Sequence, residues 1–341
     1  MNLSLKPVDR LSVPYGVENA GLQALKFFCA FLVVVIHTAA CSVHPAFGLT
    51  RVAVPVFFMI TGFFMVDSRG VIDHRRVWRM IVKLLWIIVG AQLLYMGVYV
   101  AESVIVEHEM PSDLWSFRAH LYNLIVGDRF GGHLWYLTAC VQALLVVWIA
   151  ARRRCERLLV WFIPFGLGLA LLTGCYGVLP GIGRAHSVVC RGALSTALPC
   201  VMLGVVMRRG RLPRVSSALV IMTVVAAALL LIEDNMLKIN NGDMIVMTMP
   251  LAVALFAVFA GVRVSPLLAA AGRRYATGVY IMHLAIMRLV EHIGGLADHP
   301  ALAVVTFAST LLLLAGWRRL RPAMSFPRRR SHTLLREPTD I

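Results

Sequence analysis

Charge is what this sequence has least of. Asp, Glu, Lys and Arg together make up 15% of its 341 residues, and no extended polar block separates the apolar runs between residues 20 and 317. With 59% hydrophobic residues and a mean hydropathy of +0.78, the chain carries more apolar surface than a water-soluble core can absorb. That excludes the two or three soluble domains its length alone would permit and leaves one integral membrane domain. Acidic residues are the scarcer sign, 17 against 33 Lys and Arg, for a net charge of +16. A nucleic-acid partner would ask for a basic stripe with interleaved aromatics, and the sequence has none. Its cations sit in short clusters between apolar runs, where cytoplasmic loops meet the anionic headgroups of membrane lipids.

Other signatures are missing as well. The seven cysteines form no C-x-x-C pair, and most lie inside apolar runs as small buried hydrophobes. No histidines are spaced as H-x-x-x-H or H-E-x-x-H, so no metal site is expected. There is no G-x-x-x-x-G-K-[ST] and no G-x-S-x-G, which removes support for nucleotide hydrolysis and for an α/β-hydrolase. The first apolar run is too long for a signal peptide, and Thr38-Ala39-Ala40-Cys41 lacks the aliphatic residue of a lipoprotein cleavage site, so an uncleaved first helix is expected. No internal repeat is visible.

What is present is a series of apolar runs, each near the length of about 20 residues that spans the hydrocarbon core. They cover Ala20 to Cys41, Leu49 to Val66, Met80 to Ala101, His133 to Ala151, Leu158 to Leu179, Cys190 to Met207, Val215 to Ile232, Met244 to Val262, Tyr275 to Ile293 and Ala301 to Trp317. The expected fold is all-α, a polytopic bundle of about ten transmembrane helices. With the N-terminus inside, the cytoplasmic segments hold 24 Lys and Arg and the external ones 4, which places both termini in the cytoplasm. The regions are then a cytoplasmic segment 1–19, a transmembrane domain 20–317 and a basic, disordered-looking cytoplasmic tail 318–341. In the longest external segment, 102–132, the stretch Leu114 to Val126 suits an interfacial or re-entrant helix. It is either a lid over an external cavity or an amphipathic helix lying passively on the membrane.

Ionisable side chains inside apolar runs are costly, so each is a functional candidate first and a structural partner second. Lys26 and His37 share the first run, and eleven residues at 100° each bring them back to one face, separated by about 16 Å along the axis. Lys26 can snorkel to the cytoplasmic headgroups; His37 suits a general base or a hydrogen bond to a neighbouring helix. Arg51 opens the second run, where Pro55 frees a backbone carbonyl and Thr61-Gly62 allows close helix contact. His133 and Trp135 fall at the external interface, a position that suits Trp in any case. His283 lies mid-run in Tyr280-Ile281-Met282-His283, followed by Arg288 and Glu291, which are spaced to pair with each other. Asp67 with Arg69, and His74 with Arg75 and Arg76, read as a solvated loop.

Four separated motifs together resemble one family, the acyltransferase-3 membrane proteins. Lys26 and His37 match its basic-x10-His pattern, with Lys where Arg is commoner. Arg51 to Phe64 is similar to its Arg-x-x-Val-Pro-x-Phe-Phe-x-Ile-Ser-Gly-Phe stretch, with Thr61 for Ser. Gly132-His133-Leu134-Trp135-Tyr136-Leu137 resembles its His-Leu-Trp-Phe-Leu motif, and Tyr280 with His283 its Tyr-x-x-His. The resemblance covers residues 20 to about 317. It implies a membrane-bound O-acyltransferase of the bacterial cytoplasmic (inner) membrane, moving an acyl group, acetyl above all, from acetyl-coenzyme A or another acyl-coenzyme A. The acceptor is a hydroxyl of a surface glycan or lipid-linked glycan precursor. By that reading His37 is the general base, Lys26 holds an anionic part of coenzyme A, and Arg51 stabilises the oxyanion or contacts the acceptor. His133, Trp135, Tyr280 and His283 are substrate-binding candidates.

Two readings from other classes stand beside it. In a transporter or flippase for a polysaccharide intermediate or small polar solute, the same buried charges would line a path, but the two halves lack the symmetry this favours. A purely structural subunit leaves His37, Arg51 and His283 unexplained. The charge pattern predicts that reporter fusions at Glu109 and Arg329 report opposite sides of the membrane; the same side for both would end this topology.

Overall fold

A computed structural model describes residues 19–38, 42, 44–177, 186–210, 212–237, 243–297 and 299–324. The expectations placed on segment 1–18, Cys41, Arg184, Lys238 and residues 325–341 lie outside the described residues. Among those described the secondary structure is helical, apart from one isolated bridge between Val66 and Ile72. The α-helices are α1 (Ala20–Ile36), α2 (Ala53–Met65), α3 (His74–Glu102), α4 (Phe117–Ile125), α5 (Trp135–Arg152) and α6 (Phe162–Thr173). They continue with α7 (His186–Cys190), α8 (Leu198–Arg209), α9 (Ser217–Leu237), α10 (Thr248–Gly261), α11 (Pro266–Gly294) and α12 (Ala301–Met324).

Helix lies over every predicted apolar run, with informative shifts at the ends. α1 stops at Ile36 and not at Cys41, because the His37 N–H bonds Val34 one residue short of the helical partner and the Thr38 hydroxyl takes the Val34 carbonyl. His37 therefore caps the helix. Leu158–Trp161 is a tight 3-10 turn leading into α6, where Pro164 falls in the first turn and needs no N–H partner. His74 to Arg76 form the first turn of α3 and not a loop, since the Asp73 carboxylate accepts from the N–H groups of Arg75 and Arg76 at 2.9 and 3.3 Å. Only Asp67 to Gly70 remains a turn. α12 continues past Trp317 to Met324, and Arg318 donates to the Arg274 carbonyl of α11. In segment 102–132 the expected helix is α4, which has no fully buried residue and exposes Phe117, Leu121, Leu124 and Ile125, an interfacial pattern.

Among the described residues six helical stretches are long and apolar enough to cross a membrane: Pro45–Met65, His74–Ile105, Trp135–Arg152, Val188–Arg209, Ser217–Leu237 and Ala301–Leu320. Three shorter apolar stretches are Ala20–Ile36, Leu158–Thr173 and Thr248–Gly261. α11 has 29 residues but spends several on polar side chains, among them Arg273, His283 and Arg288. The most apolar part of Ser217–Leu237 is only 6% buried, whereas that of Pro45–Met65 is 78% buried. Water would not tolerate the first of these; hydrocarbon does, since lipid tails are as apolar as the side chains they meet. The chain is an integral membrane protein, with α2 and α8 at its centre and α3, α9 and α12 towards lipid.

Without a hydrophobic drive between helices in lipid, close backbone approach carries the packing. α1 runs along α11 and α2 along α8. A Cβ at Gly62 of α2 would run into the Val201 carbonyl of α8, and one at Gly204 of α8 into the Met59 carbonyl of α2. On the other pair, a Cβ at Gly272 of α11 would strike the Gln23 carbonyl of α1. The contact expected of Thr61-Gly62 is thus made by Gly62, while the Thr61 hydroxyl bonds back to Phe57 at 3.0 Å. Gly62→Ala should destabilise the protein by about 1–3 kcal/mol through overpacking. Gly90→Ala in α3, where a Cβ meets nothing within 4 Å, should leave thermal stability in detergent unchanged; equal melting temperatures for the two variants would sink this packing account.

Candidate active site

Three imidazoles from distant parts of the chain meet at one end of α1. His37 caps α1, His133 sits in the turn before α5, and His283 lies midway along α11. Ring centroids are 5.2 Å apart for His37 and His283, 4.8 Å for His133 and His283, and 6.2 Å for His37 and His133. His283 and His133 are buried, at 0% and 2% exposure, whereas His37 is exposed. The cluster is thus one accessible histidine backed by two inaccessible ones.

The surroundings fix these rings. His283 Nδ1 lies 2.8 Å from the Tyr280 carbonyl and 3.2 Å from that of Val279, contacts only an Nδ1–H can make. Nε2 is then the unprotonated nitrogen of the neutral ring. Nε2 is buried and accepts no hydrogen bond from the described residues, and neither His133 nitrogen makes one of good geometry, although the Ile281 carbonyl is near that ring. Tyr280 donates its hydroxyl proton to the His133 carbonyl and packs on Tyr136. Tyr95 of α3 donates to the Ile281 carbonyl at 2.7 Å, accepts from the Ala285 N–H at 3.2 Å, and sets its ring 4.9 Å from that of His133. A Cβ at Gly131 would crowd Tyr95 and Leu134, so glycine lets this turn press inward.

A second polar network joins the segment after α1, the end of α9 with the segment that follows it, and Arg191 just after α7. Arg51, with a fully buried side chain, donates through Nε and Nη2 to Asp234 Oδ1 at 2.8 and 2.5 Å, and through Nη1 to the Asp243 carbonyl. Asp243 Oδ1 accepts from Arg191 Nε at 2.7 Å. Arg191 is also near enough to His37 for its charge to act there. Next to Asp234, Glu233 accepts from the N–H groups of Val246 and Met247 at 3.1 and 2.8 Å.

Of the sequence candidates, His37, His133 and His283 come together. Tyr280 faces inward as a support for His133. Lys26 donates to the Thr277 hydroxyl of α11 at 3.3 Å, and Trp135 lines a cavity. Arg51 is held by carboxylate and carbonyl partners. Arg288 pairs with Glu102 of α3 and not with Glu291, because α3 brings that carboxylate alongside α11. Sequence reading missed Tyr95, Asp234, Asp243 and Arg191. Asp234 did carry a signal, an acid at the end of an apolar run; Tyr95 carried none. Among the described residues no group of three His, Cys, Asp or Glu could hold a metal ion.

Residues 19–317 match the family model described as acyltransferase domain, acyltransferase-3. The chain belongs to the acyltransferase-3 family. This family supports acyltransferase activity in a membrane setting, and the four motifs that resembled it lie within the matched stretch. An amino-acid racemase of Enterococcus faecalis is 31% identical over 144 residues, which is 39% of this chain and 19% of that protein. The chain therefore spans about a fifth of that curated relative. No solved structure matches the chain.

The Arg51–Asp234 pair gives a direct test. Breaking a buried pair from one side costs about 3–5 kcal/mol, because the other charge is left without compensation. Asp234→Ala should lower the melting temperature sharply, and the double variant Arg51→Met, Asp234→Leu should recover part of the loss; an unaltered Asp234→Ala would show the pair to be dispensable.

Proposed function

We propose that this acyltransferase-3 protein transfers an acyl group, acetyl in the simplest case, from acyl-coenzyme A to a hydroxyl of a surface glycan or lipid-linked glycan precursor, with His37 as general base. The observation that carries the reading is the histidine cluster, in which the accessible imidazole is backed by a ring of defined tautomer. His37 removes the acceptor hydroxyl proton as that oxygen attacks the thioester carbonyl. A C–O bond forms, the tetrahedral oxyanion collapses, the C–S bond breaks, and the coenzyme A thiolate takes up a proton. His283, whose ring lies 5.2 Å from that of His37 and whose buried Nε2 lone pair is unused in this structure, takes a His37 N–H as substrate binds and supports the imidazolium as it forms, the role an orienting third group plays in triads. His133 closes the other side of the cluster.

Coenzyme A enters from the cytoplasm in this reading. The chain crosses the bacterial inner membrane ten times with both termini inside, and Lys26 attracts an anionic part of the donor from the inner half of α1. Arg51 acts on the oxyanion only indirectly, by holding the segment between α1 and α2 in place, since its donors already serve Asp234 and Asp243. The racemase named above is matched over a fifth of its length, and racemisation is not carried over.

The test uses the purified protein in nanodiscs with radiolabelled acetyl-coenzyme A and a glycan acceptor. General-base catalysis contributes about 10² to 10⁴-fold, so His37→Gln should lower transfer by at least that order with normal abundance and melting temperature. His283→Gln should lower the maximal rate and leave the donor KM unchanged. Lys26→Arg should retain most activity and Lys26→Ala should lose it through the donor KM. A stable His37→Gln protein with wild-type transfer would refute the mechanism, and acceptor movement across the bilayer without transfer would favour the transporter.

A further inference from the structure

A cavity of about 290 Å³ lies between the end of α4, α5, α6 and residues 188–195, with Trp135, two residues after His133, in its wall. Its walls are mainly apolar, with Trp135 and Leu169 among them, and its polar lining comes from Asp128, Gln142, Arg191 and Ser195. Backbone geometry is irregular there: Gly192 is extended, and Ala193–Ala197 forms a π-helix within the membrane-spanning stretch Val188–Arg209. π-turns recur at functional sites, and departures from regular helix at membrane depth are tolerated where they line a cavity. Gln142 donates to the Ile125 carbonyl at 2.7 Å and so fastens the end of α4 over this space.

We infer that this cavity is a monosaccharide subsite, in which Trp135 stacks on a sugar ring while Asp128 and Arg191 bind its hydroxyls. A pyranose has apolar C–H faces and a rim of hydroxyls that both donate and accept. An indole wall beside a carboxylate acceptor and guanidinium donors meets both needs. An alkyl chain could use neither the Asp128 carboxylate nor the Arg191 N–H groups beyond the Nε that Asp243 takes, whereas sugar hydroxyls can meet both. The phosphates of coenzyme A would meet Asp128 and the Arg191–Asp243 pair, whose carboxylates oppose an anion. The volume is at the small end for ligand pockets, fitting one sugar ring and not a nucleotide. Arg191 links the subsite to the chemistry, since it lines the cavity and its charge also reaches His37. Calling the sugar the acceptor rests on the acyl-transfer reading; the binding itself does not.

The experiment measures binding without donor: saturation-transfer NMR on the full chain in nanodiscs, titrated with a panel of methyl hexosides and methyl N-acetylhexosaminides. At least one glycoside should bind. Trp135→Leu should weaken it about tenfold or more, equivalent to about 1.4 kcal/mol, while Trp135→Phe, which keeps an aromatic face, should stay much closer to wild type. Asp128→Asn should weaken it independently, and this variant carries the test if Trp135→Leu does not fold. A panel that fails to bind wild type, undiminished binding by Trp135→Leu and Asp128→Asn, or displacement of the glycoside by hexanol at equal concentration would each overturn the assignment. Glycoside binding that depends on Trp135, with no acetyl transfer by wild type, would keep the sugar site and remove the acyltransferase reading. Transfer undiminished in Trp135→Leu would keep the acyltransferase reading and overturn the assignment of this cavity to the acceptor sugar.

Discussion

The backbones of α1 and α11 touch where Gly272 leaves no room for a Cβ against the Gln23 carbonyl, and the rest of the site hangs on that approach. Two helices this close stay paired along their length, so Lys26 meets Thr277 near one end and His37 meets His283 towards the other. A larger side chain at residue 272 would wedge the helices apart and open the space between the imidazoles, although neither histidine is near the substitution. In lipid such close contacts, together with interhelical hydrogen bonds, replace the hydrophobic drive that holds a soluble bundle together.

On this frame the chain divides its polar residues between two tasks. The histidine cluster leaves ring nitrogens without a hydrogen bond from the described residues: His283 spends Nδ1 on a carbonyl and keeps Nε2. The arginine network does the opposite: Arg51 spends its donors on Asp234 and Asp243, and Arg191 its Nε on Asp243. A charge with all its partners in place can stay inside a membrane protein at a tolerable cost, and its worth lies in fixing geometry more than in net stability.

Much of this was legible in the sequence because it is local. The apolar runs gave the helices, the eleven-residue interval put Lys26 and His37 on one face, and Thr61-Gly62 announced a tight contact. What could not be read was pairing across the chain. Arg51 and Asp234 stand 183 residues apart, and Arg288 prefers Glu102, 186 residues away, over the neighbour its helix offers. His133 looked like an interfacial residue; only the inward turn at Gly131 carries it against His283. The early end of α1 was invisible for a different reason, since Thr38 ends the helix through a single back-bond from its hydroxyl, which composition does not register.

α9 leans almost wholly on lipid, yet its last turn is clasped by protein, with Asp234 on Arg51 and Glu233 on the N–H groups of Val246 and Met247. It behaves as a mast stepped at one end. A bilayer that is too thin or too thick makes a helix tilt, at a cost of fractions of a kcal/mol per ångström of mismatch. For α9 the lever turns about those carboxylates. A tilt of α9 in a membrane of another thickness would therefore bear on Arg51, on the segment that joins the histidine-bearing end of α1 to the core of the bundle.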